Sequence, residues 1–110
     1  MREIKFRAWD TDEKYMYEVE SLAKLALYPQ YRYILLQYTG LKDKNGKEIY
    51  EGDVVTFMYN SSPQTPRTGA VRWDDYYAGF MFAEMLLEPT PRETIEVIGN
   101  IYTNPELITK

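Results

Sequence analysis

A chain of 110 residues holds one ordinary domain's worth of core, and 45% hydrophobic with 15% aromatic residues is too apolar for a disordered segment. The absence of Cys and His removes thiolate nucleophiles, imidazole bases, disulfides and tetrahedral zinc sites together, leaving oxygen and amine chemistry. Lys and Arg number 13 against 17 Asp and Glu, and the resulting net charge of -4 supplies no overall attraction to a phosphate backbone.

The opening Met1-Arg2-Glu3-Ile4-Lys5 breaks every apolar run with charge, unlike a signal peptide. Ile4 to Trp9 then alternates with period two, which predicts a strand with Ile4, Phe6 and Ala8 inward and Lys5, Arg7 and Trp9 on the outward face. The turn-rich Asp10-Thr11-Asp12-Glu13-Lys14 and the aromatic Tyr15-Met16-Tyr17-Glu18-Val19 complete an N-terminal hairpin. Glu20 to Leu27 is rich in helix formers, with Leu22, Leu25 and Ala26 at helical spacing and Pro29 as its stop. A helix of about two turns is marginal without packing, so a strand or loop is the competing reading.

Tyr33 to Tyr38 reads as a strand buried on both faces, and Asn45-Gly46 as a tight reversal of type I′. Glu51-Gly52-Asp53 makes a second turn, followed by a strand over Val54 to Tyr59. Asn60 to Pro66, with its prolines and serines, is an exposed loop. Gly69 to Trp73 and Gly79 to Met85 are two further strands around Asp74-Asp75, and Pro89 and Pro91 break the chain again. The most apolar stretch, Ala78 to Leu87, is too short to span a membrane and carries Glu84. Thr94 to Ile98 is the last strand, and Asn104-Pro105-Glu106 predicts a short C-terminal helical turn with Asn104 as its cap.

The expected fold is mainly β, a single domain over 1–110. Residues 1–49 form the hairpin and a connecting segment, and 50–110 form a small barrel of SH3-like pattern with a C-terminal helical turn. Three segments resemble the YopX family of small phage and prophage proteins. They are Arg2 to Asp10, the central block from Gln37 to Val55, and Ile95 to Tyr102 with Asn104 to Leu107. Ser21 to Arg32 and Asn60 to Glu93 match no part of that pattern. The resemblance implies a phage or prophage origin, the bacterial cytoplasm as setting and self-association; it carries no established activity and so no catalytic residue.

Candidate chemistry is sparse. Asp43-Lys44-Asn45-Gly46 looks like a fragment of a calcium loop. With Gly46 as sixth position, however, the first would be Leu41 and the twelfth Gly52, where an acid and a bidentate Glu are needed. Acids also gather at Asp10, Asp12 and Glu13, at Glu48, Glu51 and Asp53, and at Asp74 and Asp75. Each group sits at a predicted turn, where a carboxylate bonds following amides, so a structural role is favoured over a metal or acid-base site. No catalytic, cofactor or metal residue is assigned.

The 11 tyrosines are more distinctive, and Tyr15, Tyr17, Tyr28, Tyr31, Tyr33 and Tyr38 fall in the first 40 residues. They fill a β core with hydroxyls at its wet edge, form an interface, since Tyr and Arg are enriched there, or stack the bases of a single-stranded nucleic acid, which an acidic chain is poorly charged to attract. Lys5, Arg7 and Trp9 read as a solvated face with Trp9 shielded by a neighbour, or as an interface patch. The candidate interaction surface is therefore Arg7, Trp9, Tyr15, Tyr17, Tyr28, Tyr31 and Tyr33. The expected function is that of a non-enzymatic accessory protein without cofactor. It would act in the bacterial cytoplasm through protein contacts, as a homo-oligomer or on a host or phage protein, with no membrane. The alternative is a nucleic-acid-binding module acting on DNA or RNA, which the acidic charge disfavours.

Overall fold

The computed structural model describes residues 3–57, 67–83, 85–87 and 94–107, and the expected Asn60 to Pro66 loop, the Pro89 and Pro91 breaks, and Met58 and Tyr59 of the expected strand lie outside them. The hairpin is formed by β1 (Phe6–Asp10) and β2 (Tyr15–Val19), antiparallel in a register running from Phe6 opposite Val19 to Asp10 opposite Tyr15. Its reversal is closed by Asp10, whose Oδ1 accepts the amides of Asp12 and Glu13 at 2.9 and 3.0 Å while its carbonyl accepts that of Lys14 at 2.8 Å.

Leu22–Leu27 is a 3-10 helix. Ser21, fully extended ahead of it, makes no side-chain cap, and Pro29 follows two residues after its end, so six residues wind tightly instead of nucleating an α-helix. Strand β3 (Tyr33–Lys42) outruns the expected six residues. Its first half pairs with β1, from Asp10 opposite Tyr33 to Phe6 opposite Gln37, and its second half with β4 (Glu48–Tyr50), giving a sheet of order β2-β1-β3-β4. The turn between β3 and β4 differs from type I′. Gly46 donates its amide to the Asp43 carbonyl at 3.0 Å, and Gly46 alone takes positive φ, at 83°, so the reversal centres on Lys44-Asn45 with glycine as the left-handed residue after it.

The remaining strands are β5 (Asp53–Phe57), β6 (Arg67–Ala70), β7 (Arg72–Asp74), β8 (Gly79–Phe82), β9 (Met85–Leu86) and β10 (Ile95–Asn100). They form two three-stranded sheets, β10-β5-β6 and β7-β8-β9. Both expected strands between Gly69 and Met85 are broken. Val71 interrupts the first, exchanging 2.8 Å backbone bonds with Gly52 and Asp53, and Ala83, at φ 51°, interrupts the second. These kinks curl the sheets around one core of Ile49, Val55, Phe57, Val71, Phe80, Phe82, Leu87, Ile95 and Val97, so the protein is mainly β. Gly69 lies where a Cβ would stand 2.5 Å from the Ala83 amide nitrogen, and this lets β6 and the end of β8 meet. Pro105–Leu107 forms the expected C-terminal turn as a 3-10 helix. Asn104 turns its Oδ1 back to the Asn100 amide and the Thr103 hydroxyl. Among the described residues no helix is long and apolar enough to cross a membrane.

The two faces of β1 correct the sequence-based expectation. Ile4, expected inside, is 53% exposed, and the outward face expected to be solvated is covered, with Trp9 6% exposed and shielded by a neighbouring ring as one reading of that face has it. Alternation distinguishes the faces of a strand without saying which is covered, and here both are: one by the segment that follows β2, the other by the β4–β5 turn and Tyr102.

Candidate interaction surface

The Lys5, Arg7 and Trp9 face turns inward, Lys5 bonding within the N-terminal sheet and Arg7 and Trp9 meeting the rest of the chain. Lys5 Nζ lies 2.6 Å from the Glu48 carboxylate and over the Tyr38 ring, and the bond to Glu48 raises the pKa of the ammonium. Arg7 places Nη2 2.6 Å from Asp53 Oδ1 and its guanidinium 4.0 Å above the Tyr50 ring, while Asp53 Oδ2 accepts the Tyr50 amide at 2.8 Å. Trp9 packs on Tyr102 with ring centroids 5.6 Å apart. Arg7 and Trp9 are therefore withdrawn from the surface, because a distant turn supplies a buried acid for one and an aromatic ring for the other.

The opposite face gathers the tyrosines. Tyr17 lies at the centre, with ring centroids 4.8 Å from Tyr15, 6.2 Å from Tyr28 and 6.4 Å from Tyr33, and Tyr28 and Tyr33 are 5.2 Å apart at nearly perpendicular planes. Edge-to-face contacts of this kind hold aromatic rings in fixed relative positions. Tyr15 remains 58% exposed and Tyr31 90%, so the cluster has an inner tier on the sheet and an outer tier in solvent. Burial, and next the nearby Asp10 charge, raise the pKa of the Tyr17 hydroxyl.

A clamp positions this tier. Arg32 donates to both oxygens of the buried Asp10 carboxylate, from Nε at 3.0 Å and Nη2 at 2.9 Å, and its carbonyl accepts the Thr11 amide and hydroxyl at 3.0 and 2.7 Å. The amides of Arg32 and Tyr33 both bond the Pro29 carbonyl, so a tight turn presents Tyr31 beside the hairpin reversal. The Arg32 bonds hold the Asp10 carboxyl at about 2 against the opposing effect of burial, with the Glu13 and Asp12 amides assisting. Nothing in the sequence signals this pair, because its members stand 22 residues apart.

The other turn carboxylates are engaged in the same manner. Asp43 accepts the amides of Asn45 and Lys47 on Oδ1 at 2.8 and 2.9 Å and that of Val97 on Oδ2 at 2.9 Å. Burial pushes its carboxyl up, but the three amides outweigh it and the net shift is downward. Asp74 caps its turn through the amides of Tyr76 and Tyr77. Among the described residues no three acidic side chains converge as a metal-binding group. Exposed Trp73, Tyr76 and Tyr77, at the β7–β8 reversal, form a second aromatic feature. Trp73 also borders an open groove of about 340 Å³ with Ile34, Leu36 and Tyr102.

Comparison with known proteins gives a structural neighbour and a family. Protein EF1440 from Enterococcus faecalis, a crystal structure, aligns with a TM-score of 0.73 at 26% identity, covering 99% of this chain and 100% of the other. Comparison with curated proteins gives no significant match. The model of the family described as YopX protein matches residues 22–109, which include the stretches after β2 and β5 that carry no recognisable motif. Since that match spans most of the chain and an all-length structural likeness accompanies it, this protein belongs to the YopX family.

Proposed function

We propose that the chain is a non-enzymatic accessory protein of phage type, working in the bacterial cytoplasm and self-associating through its tyrosine face. Family membership supports the phage setting. One observation carries the interaction reading: Tyr15, Tyr17, Tyr28 and Tyr33 form a continuous ring cluster on one sheet face, with Tyr31 projecting into solvent beside it. Tyrosine offers large, rigid contact area with a hydrogen-bonding tip, the composition that interfaces favour. A non-enzymatic role is supported by the engagement of Asp10, Asp43, Asp53 and Asp74 with backbone amides or arginine, which leaves these carboxylates to structure.

Nucleic-acid binding has less support. Lys5, Arg7, Lys24, Arg32 and Lys44 each pair with a carboxylate, which offsets the charge these five would offer a phosphate. A host or phage protein remains the partner if the chain does not pair with itself. Light scattering at tens of micromolar tests the reading: a mass of at least twice 13.0 kDa is expected. A strictly monomeric mass would contradict self-association and shift the face to a heterologous partner.

A further inference from the structure

We propose that two copies join through the outer edge of β2, in antiparallel register about Tyr17, so that the two four-stranded sheets become one. This rests on the self-association reading and names the seam.

Strand β2 is the outermost member of its sheet, and no described strand pairs with its far side. Alternate residues of such a strand direct N–H and C=O groups outward, and natural sheets usually blunt such edges with Pro, Lys, a bulge or a covering segment. Tyr15-Met16-Tyr17-Glu18-Val19 has no Pro and no Lys, and its pairing with β1 runs five residues without a shift. Two other edges contrast with it. The Lys44 amide bonds the Ile95 carbonyl and the Asp43 carboxylate the Val97 amide beside β10, and β9 is two residues long.

The partner that fits this edge is a second copy, because Lys14 before β2 and Glu20 after it are complementary to the same strand reversed. In an antiparallel pair centred on Tyr17, Tyr15 of one copy lies opposite Val19 of the other, Met16 opposite Glu18, and Lys14 opposite Glu20. The seam thus gains a Lys–Glu pair at each end and sets no like charges face to face. A parallel pair would align Lys14 with Lys14, Glu18 with Glu18 and Glu20 with Glu20. Lys14 and Glu20 are both exposed, and among the described residues their side chains bond locally, to the Thr11 carbonyl and to Lys24. The two-fold also brings Tyr17 of each copy together, so the tyrosine clusters merge into a single band, a closed and self-complementary arrangement.

The test combines a cross-link with a charge swap on the full chain. Tyr17→Cys introduces the protein's only thiol at the one β2 position that faces its own copy, and mild oxidation is expected to give a disulfide-linked dimer. Met16→Cys, which faces position 18, is expected to stay uncrosslinked. Lys14→Glu is expected to weaken dimerisation about tenfold, and Lys14→Glu with Glu20→Lys to restore it. A wild-type dimer with no Tyr17→Cys cross-link, or one indifferent to Lys14→Glu, overturns the β2 seam and leaves self-association standing. A monomeric wild type overturns both.

Discussion

Three aspartates illustrate how single residues determine local shape here. Asp10 and Asp74 end a strand and Asp43 directly follows one, and each accepts amides from the residues just beyond, which fixes the reversal in the way Asx turns do. Asp43 also reaches across to β10, so Asp43→Ala would leave three amides without their acceptor and is expected to cost about 3 kcal/mol or more in urea unfolding. Gly46 supplies the left-handed residue after that turn, and a Cβ there would meet nothing within 4 Å. Gly46→Val should therefore cost only the backbone conformation, on the order of 1 to 2 kcal/mol, with Gly46→Asn milder. Asp10 titrates at about 2 in the folded chain, below its unfolded value near 4. Its contribution is consequently complete above about pH 4 and is lost as the pH falls toward 2; Asp10→Asn should flatten the acid limb of stability over that window.

At the scale of elements, what period and turn chemistry encode locally agrees between sequence and structure. The hairpin, β3, β5, β10 and the carboxylate-bearing turns are legible in this way. What depends on a distant partner is not. Arg7 reads as solvent-facing because Asp53, 46 residues on, is invisible to a period-two pattern, and the neighbour that shields Trp9 cannot be named because Tyr102 is farther still. The Arg32–Asp10 clamp that presents Tyr31 is hidden for the same reason, whereas the tyrosines of the candidate surface stand out by composition alone. Gly69 marks another nonlocal constraint. Its missing Cβ admits the Ala83 backbone, so Gly69→Ala must push β6 from β8 and is expected to lower stability by about 1 to 3 kcal/mol. An unchanged unfolding midpoint would mean the two strands separate without cost.

Across the whole molecule, the N-terminal sheet, braced on its own inner face by Lys5–Glu48, meets the rest of the chain at Arg7–Asp53 and Trp9–Tyr102. A buried ion pair of this kind favours one arrangement of the two parts, and removing one partner is costly. With no Cys or His and with its turn carboxylates bound to amides or arginine, the fold should unfold at the same temperature with and without a chelator. The proposed assembly surface is the tyrosine face, beside which the Arg32 clamp positions Tyr31. Sedimentation of the wild type beside Tyr15→Ser/Tyr31→Ser addresses that face, since both rings are exposed and their loss should spare the fold. The wild type is expected at no less than twice 13.0 kDa and the double variant shifted toward the monomer, whereas equal masses for the two would contradict assembly through this face.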